Sequence, residues 1–183
     1  VLALVQHHVP TGKAEPGLVE LAQTGDRGAF GRLYERYAKM VHGVLLARVP
    51  HREVRDLAQE VFAIALEKIT SLRDADSFGP WLATIARNRA IDYHKRARPT
   101  VSMGSGERES LSPDRPDLMA EALRVLEQLH ALPEAYRETL VLRLVEGLTG
   151  PEIAEQTGMT HGSVRVNLHR GMSLLRERLE GSK

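Results

Sequence analysis

The sequence predicts an all-α protein: two small helical domains joined by a flexible linker. Three observations carry this. Apolar residues recur at steps of three and four over most of the chain. Aromatic residues are only 4% of the total, which suits helices better than sheets. The stretch 99–117, PTVSMGSGERESLSPDRPD, holds three prolines, two glycines and four serines with no apolar period, so it divides one helical block from another. The expected organisation is a disordered tail over 1–16, a first domain over 17–98, the linker over 99–117 and a second domain over 118–183.

Taken in order, Leu18 to Gln23 reads as a short helix ending near Gly25. Asp26 can cap a second helix, in which Phe30, Leu33, Tyr34, Tyr37, Val41, Val44 and Leu45 trace one face until Pro50 breaks it. A third runs from about Arg52 to Ile69 with Val54, Leu57, Val61, Ala65 and Ile69 inward. Thr70 to Asp76 is polar and turn-like. Ser77 can cap a fourth helix, with Pro80 in its first turn and Trp81, Leu82, Ile85 and Ile91 facing the core. It ends before Pro99, because the residue preceding proline resists helical geometry.

After the linker, Leu118 to Leu129 and Pro133 to Val145 read as helices, the latter opening on proline and an acid. Leu148 to Leu168, LTGPEIAEQTGMTHGSVRVNL, has the pattern of a helix-turn-helix. Thr149 can cap its first helix, Pro151 fits the first turn, and Gly158 supplies the left-handed residue of the turn. Thr160 or Ser163 starts the next helix, whose stripe of Val164, Leu168, Met172, Leu175 and Leu179 points inward. Arg165, Asn167, His169 and Arg170 lie between these positions as exposed donors. Gly171 weakens this helix and permits a bend or a close approach.

The formal net charge of +1 hides an uneven distribution: fourteen Lys and Arg stand against nine Asp and Glu between Asp26 and Arg98. Arg87, Arg89, Lys95, Arg96 and Arg98 crowd the end of the first block, and Arg165, Arg170, Arg176 and Arg178 the end of the second. Two local basic stripes on a near-neutral protein point to two contacts with a polyanion. With no cysteine, disulfides and thiolate zinc sites are excluded. His161 and His169 are eight apart and share no ligand-spaced face, so neither metal nor cofactor is expected. No nucleophile–base set or phosphate-binding glycine loop appears, so the chain is not expected to be an enzyme. The apolar start VLALVQHHV is too short to span a bilayer. A soluble, cytoplasmic protein without membrane insertion is expected.

Three stretches together resemble the sigma-70 family of RNA polymerase sigma factors, specifically its extracytoplasmic-function group: Gly25–Tyr37 with Asp56–Ile69, then Ser77–Arg98, then Leu132–Arg170. The resemblance implies that the first domain is sigma region 2 and the second region 4, with core RNA polymerase and promoter DNA as partners and an anti-sigma factor as an inhibitor. Asp56, Gln59 and Glu60, at i, i+3 and i+4 on one helix face, would then grip the polymerase. Asn88 and Asp92, with the loop residues Ser71, Arg73 and Asp74, would capture an unpaired base of the −10-type element. Arg87, Lys95 and Arg96 would hold phosphates beside it. Arg143, His161, Ser163, Arg165, Val166, Asn167, His169 and Arg170 would meet the −35-type element in the major groove. Val166 and Asn167 stand where the family often has serine then arginine, which bears on promoter sequence rather than on class of function. The alternative reading is a free-standing helix-turn-helix regulator that binds operator DNA without being a polymerase subunit. That reading gives the first domain no role.

Overall fold

The computed structural model describes residues 17–97 and 125–181, and every regular element among them is helical. The first lobe contains α1 (Leu18–Gln23), α2 (Arg27–Leu46), α3 (His51–Lys68), two 3-10 turns (Ile69–Ser71 and Ala75–Ser77) and α4 (Phe78–Ala97). The second contains a helix over 125–130 (α5), α6 (Glu134–Leu144), α7 (Gly150–Thr157) and α8 (His161–Gly181). The expected tail at 1–16, the linker at 99–117 and the start of the helix placed at Leu118 lie outside the described residues.

Local chemistry sets the helix ends. Asp26 accepts the Ala29 N–H at 3.0 Å and opens α2. Thr149 and Glu152 form a reciprocal capping box at α7, each side chain accepting the other's backbone N–H. Gly158 closes α7 at φ 76°, the left-handed geometry that glycine adopts without steric cost. Of the two candidates for starting α8, Thr160 has the capping geometry: its hydroxyl accepts the Ser163 N–H at 3.1 Å. Ser77 precedes α4, but its hydroxyl donates to Asp74 instead.

In the first lobe α2 is the hub, with α1, α3 and α4 packed around it. Leu33, Met40, Val44 and Leu45 from α2 meet Val61 and Ala65 from α3 and Phe78, Leu82 and Ala86 from α4, all fully buried. Phe78 sits between the rings of Tyr37 and Trp81, with centroids 5.2 and 5.7 Å away. Three residues expected inward remain at the edge: Tyr34, Ile91 and Leu179. Tyr34 lies on the Phe62 ring. Ile91 is one step past the inward stripe of α4, which ends on the small residues Ala83, Ala86 and Ala90. Leu179 overhangs, because α8 is about 31 Å long and its neighbour α6 only about 16 Å.

In the second lobe α6 packs against α8. Gly171 makes the contact tight: a Cβ there would lie 2.9 Å from Leu140 Cδ1 and 3.2 Å from Tyr136 Cβ. Five consecutive α6 residues, Glu138 to Leu142, are buried. One face of a helix cannot hold five neighbours in sequence. They are covered because α6 is enclosed on its other side by α2 of the first lobe.

The lobes therefore share a seam. α6 lies on α2, and α7 lies on α4 and α2, so the buried apolar residues form one continuous cluster. Glycine permits the approach at two places. A Cβ on Gly43 would fall 2.7 Å from Leu142 Cδ2 and 2.9 Å from Glu146 Cγ. One on Gly79 would fall 3.1 Å from the Gln156 carbonyl oxygen.

Candidate nucleic-acid interface

The helix-turn-helix places α8 with one face seated and the other free. Val164 and Leu175 are buried, and Leu168 and Met172 half-buried, against the core. Opposite them Arg165, Val166, His169 and Arg170 are exposed and line one shallow surface depression. Two guanidinium forks, an imidazole and an apolar contact on one helix face can address base edges. Val166 is one of several exposed large hydrophobic residues, and a thymine methyl is a chemistry its side chain suits.

Other residues expected at this end have additional local work. Asn167 is half-buried and donates to the Ala135 carbonyl at 3.3 Å, tying α8 to the start of α6. Ser163 shares a hydrogen bond with Thr160 in the helix cap. Arg143 is exposed but donates to the Leu148 carbonyl at 3.2 Å, bracing the turn before α7. His161 is exposed at the first position of α8.

On α3, Asp56, Gln59 and Glu60 lie together on an exposed face. Glu60 accepts a hydrogen bond from Arg89 of α4, while among the described residues no ion pair engages Asp56. Arg89 also pairs with Asp92 at 3.7 Å, and Lys95 with Asp92 at 3.8 Å. Asp92 is thus a charge-balancing hub on α4, and Asn88 beside it is exposed. Lys95 and Arg96 are exposed at the helix end, as is Arg73 in the preceding loop. Ser71 donates to the Lys68 carbonyl at 2.7 Å. Asp74 accepts from Asp76 N and Ser77 Oγ, so it shapes the turn that leads into α4.

Arg87 is the exception. Its guanidinium crosses the seam to Glu138 of α6, with Nη2 2.7 Å from Oε1 and Nε 3.3 Å from Oε2. Arg48, at the end of α2, reaches the same carboxylate at 2.5 Å and Glu134 at 2.7 Å. Glu138 is 1% exposed. Burial alone would raise its pKa, but the hydrogen bond from Arg87 and the charge of Arg48 outweigh that and hold it below the ordinary carboxylate value. Arg137 caps the end of α2 by donating to the Ala47 carbonyl at 3.0 Å. His42 meets Glu146 at 2.6 Å, and this hydrogen bond raises the imidazole pKa against the opposing effect of partial burial.

Sequence reasoning missed these seam residues. Arg137–Glu138 reads as an ordinary surface pair on a helix, and nothing local marks Glu138 as buried. The partners that bury it come from Arg48 and Arg87, ninety and fifty-one positions away in sequence.

A capped helix-turn-helix with a basic exposed face, carried beside a second helical lobe with its own basic helix end, is the architecture of a DNA-binding protein. Comparison with known proteins narrows the class. Residues 33–100 match the family model for sigma-70 region 2, and residues 122–175 that for sigma-70 region 4. The ECF RNA polymerase sigma-E factor of Haemophilus influenzae is 31% identical over 180 residues, covering 91% of this chain and 95% of that protein. The RNA polymerase sigma factor CarQ of Myxococcus xanthus is 34% identical, covering 88% and 95%. Among solved structures, CnrH in complex with the cytosolic domain of CnrY shares the fold, with a TM-score of 0.65 at 24% identity, covering 93% of this chain and 99% of that one. The chain belongs to the sigma-70 family of RNA polymerase sigma factors, in the extracytoplasmic-function group. The matches embrace both lobes, so a free-standing regulator, which needs only the second, is not favoured. No helix among the described residues is long and apolar enough to cross a membrane.

Proposed function

We propose that this sigma factor docks on core RNA polymerase through the α3 face of Asp56, Gln59 and Glu60 and reads the −35-type element with α8. In the same reading it captures an unpaired base of the −10-type element with Asn88 and the loop of Ser71, Arg73 and Asp74. The first lobe, over 17–98, acts as region 2, the second, over 118–183, as region 4, and 99–117 as the tether between them. Its contribution is binding and positioning in the cytoplasm, without a covalent step of its own. The group's resemblance adds an anti-sigma protein as a third partner.

The observation that carries the reading is the free face of α8. Arg165, Val166, His169 and Arg170 project together from a helix whose opposite side is fixed in the core. Arg165 and Arg170 would address guanine, Val166 a thymine methyl, and Lys95 and Arg96 the phosphates near the −10-type element.

The test is reconstitution with bacterial core polymerase and templates carrying a randomised upstream region, followed by sequencing of the transcripts. Enrichment of one bipartite upstream sequence is expected only when this chain and core are both present. Asp56→Ala combined with Glu60→Ala should weaken capture of core by at least tenfold, with an unchanged helical circular-dichroism spectrum, since both carboxylates are exposed. Footprinting of DNA by the chain alone, with no effect on polymerase, would overturn the reading.

A further inference from the structure

We propose that Gln23, at the end of α1, is a positioning residue for the −10-type loop: its side-chain amide fixes the peptide from which Arg73 and Asp74 are presented to the unpaired base. The proposal deepens the promoter reading above and rests on it for the role of that loop.

Three observations carry it. First, the Gln23 amide nitrogen directs both its hydrogens to one turn, donating to the Ile69 carbonyl at 2.9 Å and to the Leu72 carbonyl at 2.7 Å. These acceptors are forty-six and forty-nine positions away in sequence, just past the end of α3, where carbonyls lack partners within the helix. The Leu72 carbonyl belongs to the planar peptide that also carries the Arg73 nitrogen, so holding its oxygen orients the start of Arg73. Second, the loop is gripped on both sides of its exposed tip. Leu72 and Ala75 are half-buried and packed on the core, while Arg73 and Asp74 between them are exposed. Asp74 builds the exit, accepting from Asp76 N at 3.1 Å and from Ser77 Oγ at 2.5 Å. At the entry, the bonds from Leu72 N to the Ile69 carbonyl and from Ser71 Oγ to the Lys68 carbonyl are local to the turn, so Gln23 supplies the tie to a separate helix. Third, that tie has a firm base. Leu18, Val19 and Ala22 of α1 are buried, and Asp26, a few positions on, caps α2. Both α1 and α4 pack on α2, so the loop and Asn88 of α4 are held in one frame.

The experiment uses the full chain assembled with bacterial core polymerase on templates whose −10-type segment is randomised, with the transcripts sequenced. Gln23→Met keeps the reach of the side chain and removes its donors, whereas Gln23→Lys keeps N–H donors on a longer stem. Gln23→Met should lower the preference for the favoured −10-type base by about tenfold, because the loop then holds its reading position in only a fraction of molecules. Preference at the −35-type element and capture of core should stay within about twofold, since α8 belongs to the other lobe and Asp56 lies about 20 Å along α3 from Ile69. Gln23→Lys should keep most of the −10-type preference. Hydrogen exchange of the free chain is the second readout: the Leu72 amide should exchange about tenfold faster in Gln23→Met, with the α2 amides unchanged. Faster exchange with an unaltered base preference would make the tie structural only and overturn the proposal. Equal losses in both variants, or parallel losses at both promoter elements with a lowered Tm, would overturn it as well. Arg73→Ala combined with Asn88→Ala, run alongside, separates the two levels. If that pair also leaves the −10-type preference unchanged, the reading of this surface as the base-capturing element fails, and the role of Gln23 falls with it.

Discussion

Glu138→Ala is the most informative single change, because it removes the centre of the seam and leaves its periphery. Glu138 accepts two contacts from Arg87 and one from Arg48 while fully buried. Removing one partner of such a buried arrangement typically costs about 3–5 kcal/mol, since the remaining charges are left unpaired. Two features place this case at the lower end. Arg48 keeps Glu134, whose side chain is 65% exposed, and the Arg87 side chain is already 26% exposed and can turn toward water. A loss of about 3 kcal/mol follows. For a domain of this size that corresponds to a fall of roughly 6–12 °C in Tm. The measurement is urea unfolding with thermal scans of the full chain, alongside Arg87→Ala and the double variant. The coupling between the two sites should exceed about 1 kcal/mol, as expected for direct partners. A surface pair would lose its contribution in roughly 0.5 M salt, whereas this one should persist, because solvent ions do not reach it. A loss below about 0.5 kcal/mol, the level of an ordinary surface substitution, would refute the buried ion cluster.

Three further outcomes follow from the geometry. Arg170→Ala should cost about 1–3 kcal/mol on the preferred −35-type sequence and much less on others, whereas Lys95→Ala with Arg96→Ala should weaken all sequences alike and lower the salt slope by about 1 per contact; quantitative binding of the reconstituted holoenzyme across a template panel reads both. Gly171→Val should destabilise the second lobe by about 1–3 kcal/mol, because its Cβ would press on Leu140 and Tyr136, and a raised or unchanged Tm would show that α8 does not pack so closely. His42 has a pKa raised above 6.5 by its hydrogen bond to Glu146, so its contribution to the stability of the seam is complete below that value and disappears as pH climbs through the raised one. Glu138, held below the ordinary carboxylate range, stays ionised throughout. The thermal stability of the full chain should therefore fall as pH rises from the ordinary imidazole value through the raised one, and His42→Ala should flatten the profile.

The helices and the exposed face of α8 were legible in sequence because they depend on neighbours a few positions away. Asp26, Thr149 and Gly158 end or begin helices through bonds and angles that local order dictates, and the 3.6-residue period that hides Val164 and Leu175 necessarily turns Arg165 and His169 outward. Asp56 and Asn88 were likewise readable as exposed polar positions on helices with an opposite apolar stripe. Where an inward expectation missed, the causes differ: Ile91 falls one step past the buried stripe of α4, and Leu179 overhangs a shorter neighbouring helix.

What the chain's order determined by itself is thus most of the helices, the caps at Asp26, Thr149 and Gly158, and the chemistry offered by each exposed face. Tertiary structure alone decided that Glu138 is buried, that Arg87 turns to it rather than to solvent, and that Gly43 is a point of contact rather than a flaw in α2. The physical reason is range: capping and amphipathic periodicity act within one or two turns of helix, whereas a carboxylate enclosed by arginines from two other helices exists only after those helices have been brought together.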